Sequence, residues 1–234
     1  MGKSLKQNPD NSSTKDVDAF LKKVAETTPT SRGTGRLLFA IDATASRQAT
    51  WDQACHIQCD MFDETAKLGA LSMQVAFFRG FGEFKATPWT TKSDALTGPM
   101  SRVRCLGGHT QIEKVLKHAL KTNEKSKINA VIYIGDCMEE DPDQLCHLAG
   151  QLGLVNTPVF IFQEGFEPRA EACFRQIANL TSGAFFRFDN SSASTLKELL
   201  KAIAVYAVGG RKALQDLGKR KGGQTLLLAE QFKK

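Results

Sequence analysis

The sequence contains no apolar run long enough to cross a bilayer. Its apolar stretches, such as Leu37 to Ile41 and Ala130 to Ile134, fall far short of the roughly 18 to 20 residues that a spanning helix requires. The opening stretch MGKSLKQNPDNSSTKD carries charge with no apolar region behind it, so it reads as neither a secretory signal nor a transit peptide, and a cytoplasmic chain is expected. A disulfide framework is missing too. The six cysteines, Cys55, Cys59, Cys105, Cys137, Cys146 and Cys173, are scattered through predicted helices and strand ends, which predicts reduced thiols. Cys55 and Cys59 lie one helical turn apart with His56 beside them, but no second Cys or His pair completes a tetrahedral set, and core packing is the expected role. A phosphate loop G-x-x-x-x-G-K-[ST] and a nucleophile turn G-x-S-x-G are both absent, which removes the commonest sequence signs of nucleotide hydrolysis and serine catalysis.

What the chain has is enough apolar material for a core: 41% hydrophobic residues in 234, sufficient for one domain or two small ones. The net charge of +6 is uneven, because Arg211 to Lys234 holds seven Lys or Arg against Asp216 and Glu230. The body is therefore nearly neutral, and the basic end is expected as a solvated tail over 210–234. Residues 1–35, rich in Asn, Ser, Thr and Lys, are expected as a flexible arm with one amphipathic patch, Val17 to Val24, able to form a short helix.

Between these ends the pattern alternates. Leu37 to Asp42 is a continuous apolar run that stops on a carboxylate, as a parallel strand covered on both faces would. Ser46 suits an N-cap, and apolar positions from Trp51 to Leu68 recur at helical spacing. Leu71 to Gly80 predicts a second strand, and Gly82 to Trp89 an antiparallel edge hairpin with Pro88 at its rim. A short helix over Ser93 to Arg102, the break LGGHT at Leu106 to Thr110 and a helix from Gln111 to Lys121 follow. Asn129 to Asp136 is another apolar run ending on Asp, then an acidic turn and a helix to about Leu152. VFIFQEG and AFFRFD predict two more strands, with helices near Pro168 to Leu180 and Ala193 to Val208. This predicts an α/β, Rossmann-like doubly wound sheet of about six strands, mostly parallel with one antiparallel edge strand and helices on both faces. Ligands of such sheets gather outside the carboxyl ends of the strands, where the winding reverses. Asp42, Asp136 and the GGHT loop are the candidates to meet there.

Asp42, Thr44 and Ser46 form D-x-T-x-S, and alternation along an extended loop can turn all three side chains toward one point. Hydroxyls there, a further one from Thr110 and the carboxylates of Asp42 and Asp136 make an oxygen-rich set suited to a small hard cation. The arrangement resembles a von Willebrand factor A-type (vWA) domain with a metal-ion-dependent adhesion site (MIDAS), whose pattern is D-x-S-x-S, an isolated Thr and a late Asp. The resemblance covers about residues 36–209. Thr44 replaces the middle Ser and keeps the hydroxyl, and Gly135–Asp136 reverses the Asp-then-Gly order the family often shows.

The resemblance implies a metal-dependent protein–protein interaction module. A divalent metal, magnesium first with manganese or calcium as alternatives, would keep one coordination position for an Asp or Glu offered by a protein partner. Glu139, Glu140, Asp141 and Asp143 either tune such a site or serve helix dipoles. His109 is expected exposed or packed as filler, and Cys137 buried behind Asp136. Two other classes compete. A metal-dependent phosphatase or hydrolase of the haloacid dehalogenase type needs a second Asp two residues after its nucleophile, where this chain has Thr44, and no general base remains near the metal. A scaffold or nucleic-acid-associated protein would work through the clusters Arg211–Lys212 and Lys219–Lys221, but the tail has no stacking aromatic apart from Phe232, which disfavours nucleic acid. Thr225 to Phe232 looks instead like a short docking helix.

Overall fold

A computed structural model describes residues 14–26, 35–51, 62, 71–189 and 192–221. Six strands form one sheet: β1 (Gly35–Asp42), β2 (Leu71–Arg79), β3 (Glu83–Ala86), β4 (Ala130–Gly135), β5 (Val159–Glu164) and β6 (Phe185–Phe188). Their order is β3-β2-β1-β4-β5-β6. All neighbours run parallel except the β2–β3 hairpin, which turns at Gly80 with φ of +60°, a conformation open to glycine without Cβ strain. Six helices are described: α1 (Thr14–Glu26), α2 (Asp94–Ser101), α3 (Ile112–Lys125), α4 (Pro142–Leu154), α5 (Pro168–Leu180) and α6 (Ala193–Lys221). The expected doubly wound architecture and its antiparallel edge are both present.

The strands are apolar throughout because each face is covered. Alternate residues of β1 point to opposite sides. Leu37, Phe39 and Ile41 join the core shared with α1 and α6, while Leu38 and Ala40 join the core shared with α3, α4 and α5. Burying a side chain of this size contributes about 1.5–3 kcal/mol, so the central strand is held hard from both sides. Chain winding reverses between β1 and β4, which lie side by side. Asp42 ends the first and Asp136 follows the second, so the topology brings two distant carboxylates to one edge.

The amphipathic patch Val17 to Val24 forms the expected short helix, α1, and its Val17, Phe20, Leu21, Val24 and Ala25 are buried against the sheet. Phe20 packs among Phe160, Phe162 and Phe186, a burial that outweighs the polar composition around it. The last helix continues to Lys221, past the expected boundary at 209, because Ala, Leu, Gln, Lys and Arg after Gly210 are all good helix formers. The helix expected over Trp51 to Leu68 lies outside the described residues except for Trp51 and Phe62, both helical and buried. Cys55, His56, Cys59 and Thr225 to Phe232 also lie outside them.

Candidate metal centre

Asp42 is fully buried at the carboxyl end of β1. The chain leaves the sheet there through Ala43, whose N–H donates to the Phe78 carbonyl at 3.0 Å and whose carbonyl accepts from Leu106 N–H at 3.1 Å. That pairing ties the first loop to the LGGHT loop. Thr44 N–H donates to Asp42 Oδ1 at 2.7 Å, an Asx-type turn that folds the loop over the carboxylate. Thr44 and Ser46 hydroxyls then lie 3.1 Å apart, one buried and one exposed. Ser46 sits inside a short 3-10 turn, Ala45–Arg47, with Thr44 at its N-cap position, so it does not cap a helix as the sequence suggested.

Against this loop stands the end of β4. Carboxylate oxygens of Asp42 and Asp136 and the sulfur of Cys137 all lie within 4.8 Å of one another. Asp42 Oδ2 and Asp136 Oδ1 are buried and have no hydrogen-bond partner, a costly state for acceptors. Burial pushes the Asp42 carboxyl up to about 7, with donation from Thr44 opposing and the Asp136 charge reinforcing it. A buried Asp42 and a half-buried Asp136, each with a buried orphaned oxygen, are what a cation relieves. Cys137, expected behind Asp136, is only partly buried and belongs to this cluster; burial and the neighbouring Asp136 push its thiol up to about 12.

Thr110 is buried on the adjoining loop and is engaged by the acidic turn after β4. Its N–H donates to Glu139 Oε2 at 2.7 Å, and its hydroxyl oxygen accepts Glu139 N–H at 3.1 Å. The Thr110 hydroxyl also bonds to the Glu140 carboxylate. With its proton directed there, Thr110 Oγ1 retains acceptor capacity. Glu140 further accepts Ile112 N–H and Glu113 N–H, both at 2.8 Å, capping α3 from a different loop. Asp141 accepts Asp143 N–H at 3.0 Å as the N-cap of α4. Glu139, Glu140 and Asp141 thus satisfy loop and helix ends, as acids near such termini do.

One ion pair of this region, Arg47 with Glu164, had no signal in the sequence. Arg47 is almost wholly buried, with Nη1 donating to the Asp42 carbonyl at 2.8 Å and Nε to Glu164 Oε2 at 2.9 Å. Its charge is matched by Glu164 at the end of β5, and it holds the β1 loop to the sheet. The GGHT loop is fixed as tightly: a Cβ on Gly108 would come within 2.1 Å of the Gly80 carbonyl, so the tight approach foreseen there is real. Gln111 Nε2 donates to the Arg79 and Gly80 carbonyls at 3.1 and 3.2 Å. Between these clamps Phe81 stands 83% exposed, edge-on to His109 with ring centroids 5.3 Å apart. His109, also exposed, approaches Glu139 at 3.9 Å.

No family model matches the sequence, and neither does any curated protein. Solved structures do match in fold. A von Willebrand factor type A protein from Catenulispora acidiphila is 17% identical, with a TM-score of 0.59 over 78% of this chain and 44% of that one. The pilus adhesin SpaC from Lactobacillus rhamnosus GG, in an open conformation, is 9% identical, with a TM-score of 0.62 over 76% of this chain and 31% of that one. Proximal thread matrix protein 1 from the mussel byssus, in a form with a zinc-occupied MIDAS motif, is 14% identical, with a TM-score of 0.52 over 74% of this chain and 45% of that one. The present chain spans less than half the length of these three. The fold is that of von Willebrand factor A domains.

Proposed function

We propose that this vWA fold works as a metal-dependent binding module, in which Asp42, Thr44, Ser46, Thr110 and Asp136 hold a divalent cation that captures a carboxylate on a protein partner. The observation that carries the reading is the pair of buried, unpartnered oxygens, Asp42 Oδ2 and Asp136 Oδ1, on facing loops at the winding reversal. They fit a cation, since an ion would supply the charge that both lack. The adjacent hydroxyl pair of Thr44 and Ser46 adds neutral oxygen donors on the same loop. Asp42 and Asp136 would bind, Thr44 N–H would orient the Asp42 carboxylate, and Glu140 would hold Thr110 by its hydroxyl. When bound, the ion supplies a Lewis-acidic position that turns an ordinary surface acid into a strong, directional ligand. Oxygen donors of this kind suit magnesium or manganese before calcium.

Specificity on this reading comes from the rim. Phe81, Leu106 and His109 are exposed on the two loops clamped beside the centre, and a rigid exposed aromatic makes a good anchor for a partner. No described helix is long and apolar enough to cross a membrane. Free thiols at Cys105, Cys137, Cys146 and Cys173 agree with work in a reducing, cytoplasmic setting. The test is retention of partners on the immobilised chain with magnesium. Proteins released by chelator and not retained by Asp42→Asn support the reading, while retention indifferent to both would contradict it.

A further inference from the structure

The Cys137 thiol bonds to the Asp136 carboxylate, and its sulfur lies within 4.8 Å of carboxylate oxygens of both Asp42 and Asp136. From this geometry we infer that Cys137 is itself a metal ligand and that the centre selects a thiophilic divalent ion of the zinc class over magnesium. The inference rests on the binding-module reading and specifies which ion that module carries. Zinc takes sulfur at about 2.3 Å and carboxylate oxygen at about 2.0–2.2 Å, so one ion bridges such donors with only small side-chain movement. The second, independent observation is Asp42, a member of the same cluster: fully buried, with Oδ2 unpartnered. Sulfur softens a site that hydroxyls and carboxylates alone would leave hard, and thiolate ligands select zinc where oxygen-only sets select magnesium or manganese. Binding displaces the thiol proton to solvent and leaves the ion on a thiolate and two carboxylates. One coordination position then remains for the partner's acid. Arg47, whose charge also acts on Asp42, is paired with Glu164 at 2.9 Å.

Cobalt(II) reports directly on a sulfur ligand, because a thiolate bound to it gives a near-ultraviolet charge-transfer band that oxygen ligands do not. Titrating cobalt into the reduced, metal-free chain is expected to raise that band to saturation, with zinc displacing it. Cys137→Ser, close in size at a partly buried position, is expected to lack the band and to bind zinc at least about tenfold more weakly, the lower end of what even outer-shell changes cost a metal site. Its magnesium and manganese affinities should stay as in the parent. Saturable cobalt binding without the band, or a band that persists in Cys137→Ser, overturns the thiolate assignment and leaves the binding module intact. Failure of all four ions to bind overturns both.

Discussion

Two sets of acids sit within a few residues of each other at the top of the sheet, and they have opposite states. Glu139, Glu140 and Asp141 spend their oxygens on backbone N–H groups of the Thr110 loop, α3 and α4. Asp42 and Asp136 each keep a buried oxygen with no partner. An acidic cluster is therefore not a site by its composition. Satisfied acids hold loops and helix ends in place; unsatisfied ones store a cost that a ligand can relieve. The first set builds the scaffold on which the second is poised.

The sharpest way to break this contrast is to remove the stored charge. In chelator, Asp42→Asn should stabilise the protein by on the order of 4 kcal/mol at pH 8, from the shift of Asp42 between 3.8 and about 7. The sign follows from linkage. The folded state holds its proton above the pH at which the unfolded state releases it, so stability of the metal-free protein falls as pH rises from about 4 to about 7 and is flat beyond. Denaturant melts across that range should show the Asn variant and its parent converging at the acid end. Parallel curves would mean Asp42 carries no such cost.

The opposite substitution tests the satisfied set. Glu140→Ala leaves Ile112 N–H, Glu113 N–H and the Thr110 hydroxyl without their acceptor. A loss of about 2 kcal/mol is expected by denaturation with or without metal. Asp141→Ala removes one N-cap and should cost about 1 kcal/mol, with ion affinity unchanged in a direct titration. Phe81→Ala, at an exposed position, should stay within about 0.5 kcal/mol of the parent while weakening partner retention. Unaltered retention would remove Phe81 from the recognition surface.

Much of the architecture was legible from the sequence because parallel strands buried on both faces read as apolar runs, and two of these stopped on Asp42 and Asp136. The GGHT break and the Asp42–Ser46 pattern also drew attention to loops that the fold brings side by side. Other features were hidden for physical reasons. The partners of Arg47 are the Asp42 carbonyl and Glu164, one of them 117 positions away, and no local pattern encodes such a pair. Glu140 reads as the acidic first turn of its own neighbourhood, yet it caps α3 across the loop gap. The amphipathic patch Val17 to Val24 was legible as a helix, but the polar residues around it concealed that Val17, Phe20, Leu21 and Val24 dock it into the core. Cys137 gave no sign, since one thiol after a strand most often packs.

The central claim is that Asp42 and Asp136 exist to hold a cation. Isothermal titration of manganese into chelator-treated protein, at pH 8 where Asp42 is ionised, tests it most directly. The account predicts saturable binding at one site, abolished in Asp42→Asn even though that variant is the more stable protein. Binding that survives the substitution, or none in the intact chain, would contradict it.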